Sequence, residues 1–144
     1  MITVNLEGYL NGKNTKVAVT KLGQLVTAPL DFSTFYNATA DTDDTPVNIV
    51  KPQTNKKFVI TALTVYANRN VTGATDATVT IYEATSPNAT QGANDKTIFT
   101  QDIPQKQTVV LTGINIIVTE GRWINGITND NDVVFNVAGY FVDA

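Results

Sequence analysis

Carboxylates are the side chains in this sequence best suited to acid–base or metal chemistry near neutral pH, because its 144 residues include no His and no Cys. A Ser-His-Asp or Cys-His arrangement therefore cannot be assembled within the chain. Two acidic stretches stand out: Asp41, Asp43 and Asp44, and Asn129-Asp130-Asn131-Asp132. Alternating carboxylates and amides could wrap Ca²⁺, a hard ion that takes about six to eight oxygens, yet the second stretch lacks the Gly and distal Glu of an EF-hand loop. Asp and Asn also satisfy turn backbone and tolerate left-handed geometry, which is the simpler reading of both stretches. A glycosidase needs two carboxylates across a cleft, one held protonated by apolar surroundings. Glu83 and Glu120 are the mid-domain glutamates at predicted strand ends, and nothing in their spacing turns them toward each other. The expectation is no enzymatic activity, no cofactor and no metal.

Aromatic residues offer a different chemistry, because a ring face presents a large apolar area beside a polar handle and can stack on a sugar. Trp123 and Tyr36, Tyr66, Tyr82 and Tyr140 are available for this. Trp123 sits in Gly121-Arg122-Trp123-Ile124, a strand-like run with branched neighbours, the setting of a core or interface residue. Trp123, Tyr36 and Tyr66 are the candidate interaction residues. Three Asn-x-Thr triplets begin at Asn37, Asn70 and Asn88, but 15 Asn with 25 Ser or Thr give about 2.6 such triplets by chance, so they carry no information on glycosylation.

The elements that must position these residues are strands. Phe58 to Asn68 alternates with apolar residues on both faces: Phe58, Ile60, Ala62 and Tyr66 on one, and Val59, Leu63, Val65 and Ala67 on the other. This pattern predicts a central strand covered on two sides, or one that faces the core on one side and a neighbouring subunit on the other. Ala77 to Glu83 alternates as well, and the turn signals between Asn68 and Asp76 predict a hairpin-like connection to it. Ser86 to Asp95 has no branched apolar residue and reads as an exposed loop. Strands are further predicted near 32–36, and at 47–50, 97–103, 107–112, 114–119, 122–127 and 133–142, bounded by Pro, Gly or the Asn129–Asp132 turn. Residues 1–22 read as an arm with one or two weak strands, since short apolar pieces around Val17 and Val19 are separated by turn residues; Leu25 and Val26 continue this texture. Residues 23–144 read as the domain. Eight to ten short strands about ten residues apart are the signature of an all-β sandwich or barrel. The expected fold is an antiparallel jelly-roll-like β-sandwich with an N-terminal arm.

Composition bounds the partners. With 23 Thr, 15 Asn and 1 Met the chain has a strand-and-turn composition, and charged residues make up only 16%, with a net charge of −3. Without a Lys/Arg cluster the footprint for nucleic acid is missing, because phosphate neutralisation supplies most of that affinity. The longest apolar stretches, such as Ile114 to Val118, fall far short of the ~20 residues of a membrane-spanning helix, and Met1–Asn5 has neither a basic nor an apolar signal region. The expectation is no nucleic acid, no membrane and no secretion signal. An absence of cysteine fits synthesis in a reducing cytoplasm and leaves stability to packing and assembly.

Several short blocks together resemble small virion structural proteins of tailed bacteriophages: GQLVTAP (23–29), DFSTFYNATADT (31–42), FVITALTVYANRNV (58–71), DATVTIYEA (76–84), LTGINIIVTEGRWIN (111–125) and the closing GYFV (139–142). The resemblance runs from about Gly23 to the end and leaves residues 1–22 outside it. It implies a non-enzymatic virion component, a capsid decoration or cement protein that binds the major capsid protein or other virion proteins, or else a fibre or tail accessory. It also implies a homo-oligomer, with a trimer expected because phage surface proteins commonly sit on three-fold axes. An arm could then add a strand to a neighbour's open sheet edge.

Overall fold

Branched and aromatic residues at every second position drive this chain into strands, because such side chains pack well on a pleated, half-buried surface. The computed structural model describes residues 7–10, 13–16, 34–69 and 76–144. Two units divide the chain, Met1–Leu30 and Asp31–Ala144. In the first, β1 (Glu7–Leu10) and β2 (Lys13–Lys16) pair antiparallel with Glu7 opposite Lys16. Val17, Val19, Leu25 and Val26 lie outside the described residues, as does most of the expected arm.

The second unit contains β3 (Thr34–Ala40), β4 (Val47–Val50), β5 (Lys56–Ala67), β6 (Ala77–Ala84), β7 (Thr97–Ile103), β8 (Thr108–Ile117), β9 (Trp123–Thr128) and β10 (Val133–Asp143). They form an antiparallel β-sandwich of two four-stranded sheets, ordered β3-β10-β5-β8 and β4-β9-β6-β7. The pairing is nested. β6 pairs with β7, β5 with β8, β4 with β9 and β3 with β10, so the strands of this unit form one long antiparallel ribbon wrapped over itself. Contacts of β5 with β10 and of β6 with β9 then complete the two sheets.

Three sequence expectations change. β5 and β6 belong to different sheets, so their connection crosses the sandwich and is no hairpin; residues 70–75 of that connection lie outside the described residues. The stretches 107–112 and 114–119 merge into β8, with Gly113 at φ +70 inside it. The unbroken alternation on β5 also fails. Its register against β10 shifts by one residue at Thr61, whose hydroxyl donates to the Ala138 carbonyl at 3.2 Å. An extra residue in one strand flips every later side chain to the other face. Phe58 and Ile60 therefore share the core with Leu63, Val65 and Ala67, while Ala62 and Tyr66 alternate to the outer face.

Between the sheets, Ile60, Leu63 and Val65 meet Val79, Ile81, Ile103 and Ile124, with Phe135 fully buried among them. Burying each such side chain stabilises the fold by about 1.5–3 kcal/mol. Two inward-facing glycines make room for the large rings. A Cβ at position 126 would lie 3.1 Å from the Phe135 ring and 3.2 Å from Ile49 Cδ1. One at position 139 would lie 2.2 Å from the Val59 carbonyl oxygen and 2.6 Å from the Phe58 ring.

Candidate functional site

The outer faces of the two sheets differ in kind. On the β4-β9-β6-β7 sheet the register lines up Asn48, Asn125 and Tyr82 in one outward row. Tyr82 and Asn125 are nevertheless fully buried, because the β6–β7 loop folds back over them. The Tyr82 hydroxyl donates to the Ala89 carbonyl at 2.6 Å, and the Asn125 amide donates to the carbonyls of Ser86 (3.1 Å) and Ala89 (3.2 Å). Arg122 holds Asp95 at 3.0 Å, and Asp95 in turn accepts from the Gly92 amide at 2.8 Å. Buried Glu83 accepts from the Thr119 amide at 3.2 Å and lies 3.7 Å from the Lys96 ammonium. A loop with no branched apolar residue is thus fixed by polar anchors, which satisfy groups that burial would otherwise leave unpaired. Burial pushes the Tyr82 hydroxyl above its ordinary pKa of 10.0; a hydrogen bond with Asn125 opposes this and the Asp95 charge adds to it.

The carboxylates act as turn and anchor groups. Asp44 (φ 54) and Asp132 (φ 59) adopt the left-handed conformation that short polar side chains tolerate. Asp130 is buried, pairs with Arg69 and accepts from the Asn131 amide at 2.8 Å. Glu120 is exposed in the Thr119–Arg122 turn, whereas Glu83 is buried against the β8–β9 connection. Among the described residues no group of three or more acidic side chains is placed to hold a metal ion.

The other sheet presents a bare face. Alternation assigns Phe35, Asn37 and Thr39 of β3, Val134, Asn136 and Tyr140 of β10, Thr64 and Tyr66 of β5, and Val110 and Ile117 of β8 to its outside. Phe35 is 79% exposed, Val110 57% and Ile117 58%. Lys57, near one end, is the one charged side chain that alternation places on this face among the described residues. Large exposed apolar residues gathered on one side of a sheet mark a surface suited to another protein.

The three candidate aromatics do not converge. Tyr36 turns inward and meets Phe58 edge to face at 5.5 Å. Tyr66 is half-buried on the bare outer face, opposite Val134. Trp123 is half-buried at the start of β9, opposite buried Ala84, on the outside of the loop-covered sheet. Sequence reasoning missed Asn125 and Tyr82 as loop anchors; the signal was an amide set between Ile124 and Gly126 in an otherwise apolar strand. The bare face is suited to holding another macromolecule by apolar contact. Comparison with protein families, curated proteins and solved structures finds no match to this chain.

Proposed function

We propose that this chain is a non-enzymatic structural protein of a tailed-bacteriophage particle, a capsid decoration or cement protein that binds the major capsid protein and further copies of itself. The observation that carries this reading is the charge-poor outer face of the β3-β10-β5-β8 sheet, with Phe35, Val110 and Ile117 exposed on it and Lys57 at one end. A β protein without disulfides that must survive outside a cell gains from covering such a face with partner surface. The nested strand pairing supports the jelly-roll reading of the sandwich, a fold with eight strands in two Greek keys that recurs in capsid proteins.

Co-sedimentation with capsids that lack the protein tests the proposal. The intact chain should pellet with them, and Phe35→Lys combined with Val110→Lys should weaken that binding while circular dichroism stays unchanged. Equal binding by the double variant removes the bare face from the account, and no binding by the intact chain ends the cement reading. The alternative, a fibre or tail accessory domain that recognises a host-surface carbohydrate or receptor, takes Trp123, Tyr36 and the loops Ser86–Asp95 and Asn129–Asp132 as its candidates; Tyr82 and Asn125 fix the first loop by hydrogen bonds, while Tyr36 turns inward against Phe58. Specific glycan binding lost in Trp123→Ala, with the fold intact, would favour it.

A further inference from the structure

The sandwich has four edge strands, and three of them carry features that discourage pairing with another chain. β4 is four residues long, follows Pro46 and has an irregular register at Asn48–Val50. β7 carries exposed Asp102 and an irregular register against Ile81–Tyr82. β8 is interrupted where Gly113 takes φ +70, opposite the Ile60–Ala62 irregularity. Short length, charge, proline and bulges are the devices by which edges avoid adding strands. β3 has none of them. It is seven residues long, TFYNATA, without charge or proline, and it matches β10 without a register shift from Thr34 to Ala40.

We infer that β3 pairs antiparallel with β3 of a second copy across a two-fold axis through Asn37, joining two four-stranded sheets into one. This rests on the self-association in the function proposed above and assigns it a surface. The occupant follows from the strand's self-complementarity. Centred on Asn37, the pairing sets Phe35 opposite Thr39, Tyr36 opposite Ala38 and Thr34 opposite Ala40 of the second copy, so each large side chain meets a small one. No charge opposes a like charge, which matters because the chain carries a net −3. The Asn37 amide already donates to Asn136 Oδ1 at 2.7 Å on the same face, and pairing places the two Asn37 amides side by side to extend that bond into a four-amide row. A contact of this kind uses the same patch twice and closes at two copies, so a trimer would need a different surface.

Sedimentation velocity of the full chain over a range of concentrations tests the pairing. The wild type should reach dimer. Asn37→Lys and Asn37→Asp, each alone, place like charges face to face and should weaken the dimer about tenfold or more, while an equimolar mixture of the two should restore it. Because the chain lacks cysteine, Asn37→Cys should give a symmetric disulfide dimer on mild oxidation, and Thr100→Cys on β7 should not. A wild type that stays monomeric throughout overturns both this pairing and the self-association it rests on. An oligomer insensitive to either charge at position 37 overturns the β3 contact alone and leaves self-association to another surface.

Discussion

Gly139 is the residue where the backbone has least freedom to accept change. A methyl group there would meet the Val59 carbonyl, which belongs to a paired strand and cannot swing aside as a side-chain end could. Overpacking a close-packed core costs typically ~1–3 kcal/mol, and a clash against backbone belongs at the upper end. Gly139→Ala should therefore lower the urea midpoint by an amount equivalent to about 3 kcal/mol with an unchanged slope; a midpoint within error of wild type would contradict the packing around Phe58. Tyr82 tests burial in another way. Tyr82→Phe removes the 2.6 Å bond to Ala89 and should cost about 1 kcal/mol at neutral pH. Burial raises the Tyr82 pKa above 10.0 in the folded state, so the unfolded chain releases its proton first. The stability this contributes is complete below pH 10.0 and is lost as pH rises toward the folded value. Above pH 10.0 the advantage of wild type over Tyr82→Phe should shrink, and parallel stability curves would contradict that environment. The left-handed positions were partly legible: Asn55, Asn88 and Gly121 are residues that such turns favour, but Lys106 at φ 58 carries no signal of its conformation.

At the scale of elements, strands were legible where branched residues stand between turn signals, as at 47–50 and 97–103, and where apolar and polar residues alternate, as at 77–83, because one face must be buried. The bulge at Thr61 was not, since an extra residue leaves no mark on composition and shows only as a shift of register against the neighbouring strands β10 and β8. Nor was the crossing from β5 to β6, because turn residues satisfy a connection between sheets as well as a hairpin. The loop between β6 and β7 illustrates the same limit. Its lack of branched residues marked it as surface, but its anchor Asn125 lies 39 and 36 positions from the carbonyls it binds. The fixed state of this loop leads to a prediction. Asp95 has only 9% of its side chain exposed and Arg122 29%, so Arg122→Ala leaves a nearly buried carboxylate with reduced compensation. The expected loss is about 1–3 kcal/mol. Opening should be local, so proteinase K should cut Arg122→Ala between Thr85 and Lys96 well before wild type. Equal cleavage rates would mean the loop is held without the ion pair.

For the whole molecule, the nested ribbon dictates an order of assembly. Tyr82 and Thr97, opposite each other in the β6–β7 pair, are 15 positions apart. The partners Leu63 and Leu111 of β5–β8 are 48 apart, Val47 and Gly126 of β4–β9 are 79 apart, and Tyr36 and Val137 of β3–β10 are 101 apart. Loop-closure cost grows with the logarithm of length, so forming the outermost pair first costs about 1.7 kcal/mol more than forming the innermost first. Once β6 and β7 are joined, each further pair closes only the short remaining stretch on either leg of the ribbon. Folding should therefore spread outward from the β6–β7 pair, with β3 and β10 last. Ile81→Val in β6 should slow folding in proportion to its loss of stability, about 0.5–1.5 kcal/mol for such a change, enough to measure the ratio. Val137→Ala in β10 should instead speed unfolding and leave the folding rate nearly unchanged. Stopped-flow chevrons of both variants distinguish the two limbs. A folding rate more sensitive to Val137 than to Ile81 would mean that the outer strands meet first, and that collapse of the Phe58–Phe141 end of the core, whose rings lie 4.9 Å apart, outweighs the entropy of closing the long loop.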